Sequence, residues 1–206
     1  MITVIDYGMG NLGSIANMLK KIRAEAVVSS DIADIERADK LILPGVGAFE
    51  HGMKNLQDMG LIPVLNDKVL RDRMPILGLC LGMQLFTLRS EEGTLPGLGW
   101  IEADTIRFRF DQTQHGLKIP HMGWNFVKVK QQSPIWEDLC EEEMRFYFVH
   151  SYHVVCHDDT NVLATTVYGY EFTSAVINGN IVGMQFHPEK SHKFGMKLLK
   201  NFAENF

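Results

Sequence analysis

Met74–Phe86 reads MPILGLCLGMQLF. The stretch decides the fold because its character changes at one residue. Pro75–Leu79 is an apolar run of strand length, as expected for a strand buried on both faces. Leu81–Arg89 reads as a helix. Between them stands Cys80, flanked by Gly78 and Gly82 in a G-x-C-x-G pattern. A sharp strand-to-helix turn needs glycines where neighbouring backbone crowds the bend, and this pattern is the thiol counterpart of the G-x-S-x-G nucleophile elbow. Such a turn holds the sulfur clear of the sheet at a helix N-terminus, which favours the thiolate. It also points the Leu81 N–H towards an oxyanion. A small cysteine filling a gap between strand and helix would look the same in isolation, so a nucleophile also needs a base.

The segment GMQFHPEKS, residues 183–191, supplies one. A strand-like run ends at His187, and Pro188 stops the strand. In extended geometry His187 and Glu189 share a side, so the carboxylate can orient the imidazole and stabilise its cation. A third piece is LILPGVGAF, residues 41–49. A strand runs into Pro44-Gly45-Val46-Gly47, where two glycines bracketing one residue allow backbone N–H groups to turn inward. Losing one oxyanion donor typically costs ~10²–10³ in rate. An ordinary strand-to-helix turn is the alternative for that segment alone.

Working outward, the first half alternates short strands and helices. Strands are expected at Ile2–Ile5, Ala26–Ser29 and Leu41–Leu43. Helices are expected after a cap at Asn11 (Leu12, Ile15, Ala16, Leu19, Ile22 on one face), around Gly52–Leu56, and over Leu61–Leu70. This alternation argues for a parallel sheet covered by helices. From about Trp100 the period approaches two, in IEADTIRF, NFVKVK, RFYFVH, HVV, VLATTVY, FTSAVI and IVGMQF, with Asn178-Gly179-Asn180 as a hairpin turn. An amphipathic helix over Lys193–Phe206 ends the chain. The expectation is one α/β domain over residues 1–206, with an open, mixed but mainly parallel sheet and antiparallel strands added in the second half.

Residues 8–13, GMGNLG, match the dinucleotide fingerprint G-x-G-x-x-G, with Asp31 near the end of the next apolar run. Little chain remains for a substrate region, so these glycines read as a tight strand-to-helix turn. A net charge of −5 without any Lys/Arg run argues against a nucleic-acid partner. No apolar run reaches membrane-spanning length, and the N-terminus lacks the basic region of a signal peptide. Cys80, Cys140 and Cys156 cannot all pair within one chain, so free thiols and a cytoplasmic setting are expected.

Together these segments resemble the triad-type (class I) glutamine amidotransferases, and within them the glutaminase subunits of imidazole glycerol phosphate synthases. The motifs are IDYGMGNLGS, LPGVGAF, GLCLGMQLF, EEGTLPGLGW, PHMGWN, FVHSY and QFHPEKS. The resemblance implies a flavodoxin-like fold and a Cys80–His187–Glu189 triad that hydrolyses L-glutamine to glutamate and ammonia. It implies that Gly45, Val46, Gly47 and Leu81 stabilise the oxyanion, and that Gln84, Ser151 and Tyr152 line the substrate pocket. It further implies a heterodimer with a (β/α)8-barrel cyclase that receives the ammonia, with the opening loop including Asn11, the Gly123-Trp124-Asn125 segment and Lys190 facing that partner. No cofactor and no metal are implied, and the isolated chain is expected to be slow. Segments such as RSEEGTLPGLGW and HKFGMKLLKNF are also similar to paralogues that feed a cyclase-like partner in surface-sugar biosynthesis. A docking or regulatory subunit with an unused triad, and a cysteine protease or esterase with the same elbow, are the remaining alternatives.

Three features read as structural. His150, His153 and His157 crowd FVHSYHVVCH, but strand alternation should separate them and no suitably spaced further ligand is present. Glu141–Glu143 reads as a solvated run, and Lys193, Lys197 and Lys200 as an exposed helix face.

Overall fold

The computed structural model describes residues 1–111 and 116–206. Its parallel half contains β1 (Ile2–Ile5), α1 (Leu12–Lys21), β2 (Ala26–Ser29), α2 (Ile32–Glu36) and β3 (Lys40–Leu43). It continues with α3 (Phe49–Asp58), α4 (Leu61–Asn66), β4 (Ile76–Leu79) and α5 (Leu81–Leu85). The second half contributes β5 (Arg89–Ser90), β6 (Ala103–Arg107), β7 (His121–Phe126), β8 (Lys128–Val129), β9 (Arg145–His150) and β10 (Tyr152–Cys156). The chain closes with β11 (Val162–Tyr168), β12 (Tyr170–Asn178), β13 (Ile181–Met184) and α6 (His192–Asn205).

The order β2-β1-β3-β4-β13 is parallel throughout. Beyond β13 the sheet turns antiparallel, through β12, β10 and β6, with β11 and β8 extending from β12. β7 and β9 form a separate antiparallel ribbon. This is the expected doubly wound sheet with antiparallel strands added in the second half.

Strand alternation divides the core in two. Val4, Ile42, Leu77, Leu79, Val182 and Met184 face a layer containing Ile15 and Leu19 of α1 and Leu198, Leu199 and Phe202 of α6. Ile5, Leu41, Leu43, Ile76 and Ile181 face Phe49, Met53, Leu61, Leu65, Leu81 and Leu85 on α3, α4 and α5. Both faces of each central strand are therefore covered, which is why these strands are apolar at nearly every position.

The helix expected over Leu81–Arg89 ends at Leu85, and Arg89–Ser90 pairs with β6. Thr87 explains the stop. Its hydroxyl donates to the Gln84 carbonyl at 2.8 Å, a local bond that competes with helix continuation. The helix expected to Leu70 loosens after Asn66 into one wider turn over Asp67–Arg71. α2, which sequence periodicity did not indicate, is a short helix capped by Asp31. That acidic residue therefore serves a helix end rather than a ribose. The hairpin turn at Gly179 is as expected, with φ +60° at the glycine.

Gly82 marks a close approach between α5 and the end of β3. A Cβ built there would lie 1.9 Å from the Leu43 carbonyl oxygen. Gly82→Ala is expected to cost about 3 kcal/mol or more, whereas Gly13→Ala, in open space within α1, should gain about 0.5–1 kcal/mol. Urea titration of both variants checks the contrast.

Candidate active site

The carboxyl ends of β1, β3, β4 and β13 converge, the position where doubly wound sheets bind ligands. β4 delivers Cys80 at a strained positive φ, φ 53° and ψ −106°. Its N–H donates to the Met184 carbonyl at 2.7 Å. Gly78 permits the bend, since a Cβ there would lie 2.5 Å from the Phe86 ring. Cys80 is 6% exposed, and its sulfur is 3.9 Å from the Val149 carbonyl. All three cysteines are free.

His187 follows β13. Its N–H donates to the Tyr147 carbonyl at 2.9 Å, while its own carbonyl accepts from the Ser191 hydroxyl at 2.6 Å. Ser191 Oγ also accepts the Tyr147 N–H at 3.0 Å, so the serine of PEKS clamps the segment to β9. Residues Pro188–Lys190 form a single 3-10 turn rather than an extended run, because α6 starts immediately and packs on Pro188 through Gly195. Within that turn His187 Nδ1–H donates to Glu189 Oε1 at 2.7 Å, and both side chains are 2% exposed. His187 Nε2 and Glu189 Oε2 are buried without a hydrogen-bond partner among the described residues. Burial alone would lower the His187 pKa. The charge of Cys80 and then that of Glu189 outweigh burial and raise it from 6.5 to about 10. The surroundings thus favour the imidazolium form of His187.

The oxyanion turn lies beside the elbow. The Leu81 N–H donates to the Gly45 carbonyl at 3.4 Å, so in this arrangement that expected oxyanion donor is already engaged, by a long and weak bond. A Cβ on Gly45 would meet Leu81 Cβ at 2.6 Å and the Tyr7 hydroxyl at 2.8 Å. Gly47 has φ +127° and Val46 is exposed. Tyr7 braces the turn from below by donating to the Pro44 carbonyl at 2.6 Å. Its burial and then the Cys80 charge push its phenol far above the ordinary range. The GMGNLG turn packs on the same turn. A Cβ on Gly10 would stand 3.0 Å from Pro44 Cβ, and one on Gly47 would stand 2.8 Å from Met9 Cε. Asn11 caps α1, accepting the Ser14 N–H at 3.3 Å.

Gln84 is buried. Its Nε2 donates to the Tyr152 carbonyl at 3.0 Å and to Gln185 Oε1 at 3.1 Å. Gln185, which sequence reasoning missed, donates from Nε2 to Cys80 Sγ at 3.7 Å. Strand alternation around GMQFH was the available signal, because Gln185 and His187 share one parity. Glu92 was also missed. It is half-buried, accepts the Phe49 N–H at 2.9 Å, and has its pKa raised by that burial. Ser151 and Tyr152 sit at the β9–β10 corner, partly buried.

The residues expected at a partner face cluster in part. Met122, Trp124 and Phe126 point outward from β7 and are exposed. Trp124 stacks on His192 at 5.5 Å, and Lys190 lies over Tyr147 at 5.7 Å. Gly123 occupies φ +133° between Met122 and Trp124. His150 and His153 both turn inward, around Phe108, so strand alternation does not separate those two. Each is hydrogen-bonded, His150 to the Tyr152 carbonyl and His153 to the Tyr170 hydroxyl. Glu143 pairs with Lys193 and Asp138 with Lys197, both at the surface.

The model of the class-I glutamine amidotransferase family matches residues 3–206. The chain is 56% identical over 204 residues to a Methanococcus maripaludis protein named imidazole glycerol phosphate synthase subunit HisH 2, covering 99% of both chains. It is 53% identical to the protein of the same name from Pseudomonas aeruginosa, again over 99% of both chains. It is 46% identical to subunit HisH of Bdellovibrio bacteriovorus, covering 99% of this chain and 100% of the relative. Among solved structures it resembles a glutamine amidotransferase from Thermotoga maritima, with a TM-score of 0.68 at 16% identity, covering 98% of this chain and 96% of that one.

With His187 raised to about 10, long-range ¹⁵N–¹H spectra should show both of its nitrogens protonated at pH 8. In Cys80→Ala the ring should lose its proton at a lower pH. A ring that titrates identically in both proteins contradicts the pairing.

Proposed function

The chain belongs to the class I glutamine amidotransferase family, and from that premise we propose that it is the glutaminase subunit of an imidazole glycerol phosphate synthase. The observation that carries the reading is the buried imidazole that donates to Glu189 and, among the described residues, keeps Nε2 unpartnered, with the charge of the elbow cysteine acting on it. In this reading the Cys80 thiolate attacks the side-chain carboxamide carbon of glutamine. The negative oxygen is taken up by N–H groups of the Gly45–Gly47 turn and of Leu81. His187 gives its proton to the leaving nitrogen, the C–N bond breaks, and ammonia departs from a glutamyl thioester. Neutral His187 then takes a proton from water, which attacks the thioester, releasing glutamate and restoring the thiolate. Glu189 orients the ring and stabilises its cation.

Gln84, Ser151 and Tyr152 are assigned to the substrate pocket. Glu92, anchored two residues beyond Gly47, is the carboxylate suited to the substrate's ammonium. The Leu81–Gly45 bond must yield before Leu81 can serve an oxyanion, which supports low activity for the isolated chain. Ammonia passes to a cyclase subunit, of (β/α)8-barrel type and in a heterodimer, seated over Asn11, Gly123, Trp124, Asn125 and Lys190. Sheltered transfer suits the chemistry, since ammonium in water is not a nucleophile. The setting is cytoplasmic, and among the described residues no helix is long and apolar enough to cross a membrane.

A second reading keeps the chemistry and changes the acceptor to a surface-sugar intermediate. It draws on the segments RSEEGTLPGLGW and HKFGMKLLKNF. Glutamate release should rise strongly when a histidine-pathway cyclase and its nucleotide are added. Cys80→Ser should lower it about 10³-fold or more, and Glu189→Gln about 10²–10⁴-fold. Activity stimulated only by a different cyclase-like partner selects the second reading. Undiminished activity in Cys80→Ser removes both.

A further inference from the structure

A chain of buried polar groups links β7 to the nucleophile. Asn125 Nδ2 is 3.2 Å from His121 Nε2, His121 Nδ1 is 2.9 Å from His150 Nε2, and His150 Nδ1 is 2.7 Å from the Tyr152 carbonyl. The same carbonyl accepts from Gln84, which donates to Gln185, which donates to the Cys80 sulfur. Both histidines are almost fully buried, at 3% and 6% exposure. Neither is spent on the triad.

The direction of the chain is fixed by its ends. A carbonyl only accepts, so His150 carries its proton on Nδ1. Burial lowers His121 to about 4 and His150 well below the usual imidazole range, so both rings are neutral. His150 Nε2 must then accept, His121 Nδ1 must donate, and His121 Nε2 must accept from the Asn125 amide. His121 is held in plane by stacking on Tyr168 at 4.1 Å and Phe148 at 4.8 Å. Asn125 also donates to the Val167 carbonyl at 2.9 Å, tying the outer end of the relay to β11. Residues on β7 alternate, so its inner side carries His121 and Asn125 while its outer side exposes Met122, Trp124 and Phe126.

We propose that Asn125, His121 and His150 are positioning residues: a one-way hydrogen-bond relay that fixes the Tyr152 carbonyl and Gln84, and through them aims the Gln185 amide at Cys80. The relay makes the reactivity of the nucleophile depend on the placement of β7, the strand with the exposed apolar face. This rests on Cys80 being the nucleophile.

The test uses the full chain. Alkylation by iodoacetamide is followed at Cys80 and, as an internal reference, at the exposed Cys140, alongside kcat and KM for glutamine with the cyclase present. His121→Phe keeps the stacked ring and removes both nitrogens. It should lower the Cys80-to-Cys140 ratio and kcat by about tenfold, the size expected for one misplaced hydrogen bond, with KM within about twofold. His121→Asn places an amide N–H where Nδ1–H stood and should recover most of the loss. Asn125→Asp lies outside the core and cannot donate to His121, so it should reproduce the loss without requiring a folded core variant. In the wild type, ¹⁵N–¹H spectra should show the Nδ1–H tautomer at both histidines. An Nε2–H tautomer at His150, or wild-type Cys80 reactivity in Asn125→Asp, overturns the relay. Glutaminase activity that survives Cys80→Ser overturns the functional reading instead.

Discussion

The arrangement depends on one residue held where an L-amino acid is strained. Cys80 sits at φ 53°, ψ −106°, outside the favoured regions, at a cost of order 1–3 kcal/mol. The surrounding sheet holds it there. β13 fixes the Cys80 N–H through Met184, and glycine at 78 and 82 lets Phe86 and the Leu43 carbonyl close on the bend. The same packing that imposes the strain also puts the sulfur opposite His187. It brings the Gly45 turn against Leu81 as well, so nucleophile and oxyanion turn are positioned by a single set of contacts.

Electrostatics complete the site. An imidazole and a carboxylate, each 2% exposed, would be costly to bury apart. The interactions of His187 with Cys80 and with Glu189 outweigh burial, which is why its pKa is raised. His121 and His150, buried without a carboxylate partner among the described residues, are lowered instead, and so is His153, where the charge of Glu91 does not offset burial. One fold thus holds a charged histidine beside a row of neutral ones, and the difference follows from the partners rather than from depth.

Much of this was legible in the sequence. Apolar runs gave the parallel strands, and paired glycines gave both turns, because those features are local. The pairing of Cys80 with His187 was legible through a pattern of types, strengthened by family resemblance. Other features lay beyond local reading. The Pro188–Lys190 turn depends on α6 packing through Gly195. The bond between Leu81 and Gly45 joins two segments that each suggested a free donor. The inward turn of both His150 and His153 comes from the corner at Ser151, which period-two reasoning passes over. Gln185 shares its parity with His187, but its bonds to Gln84 and Cys80 join segments far apart in sequence and were not legible.

The central claim is that the strained elbow cysteine carries the glutamyl group. It is tested most directly by acid-quenching the chain during glutamine turnover with its cyclase and reading the cysteine peptides by mass spectrometry. The account predicts a glutamyl adduct on the peptide containing Cys80 and none on those containing Cys140 or Cys156. Glutamate release with Cys80 unmodified throughout, or an adduct on another cysteine, would contradict it.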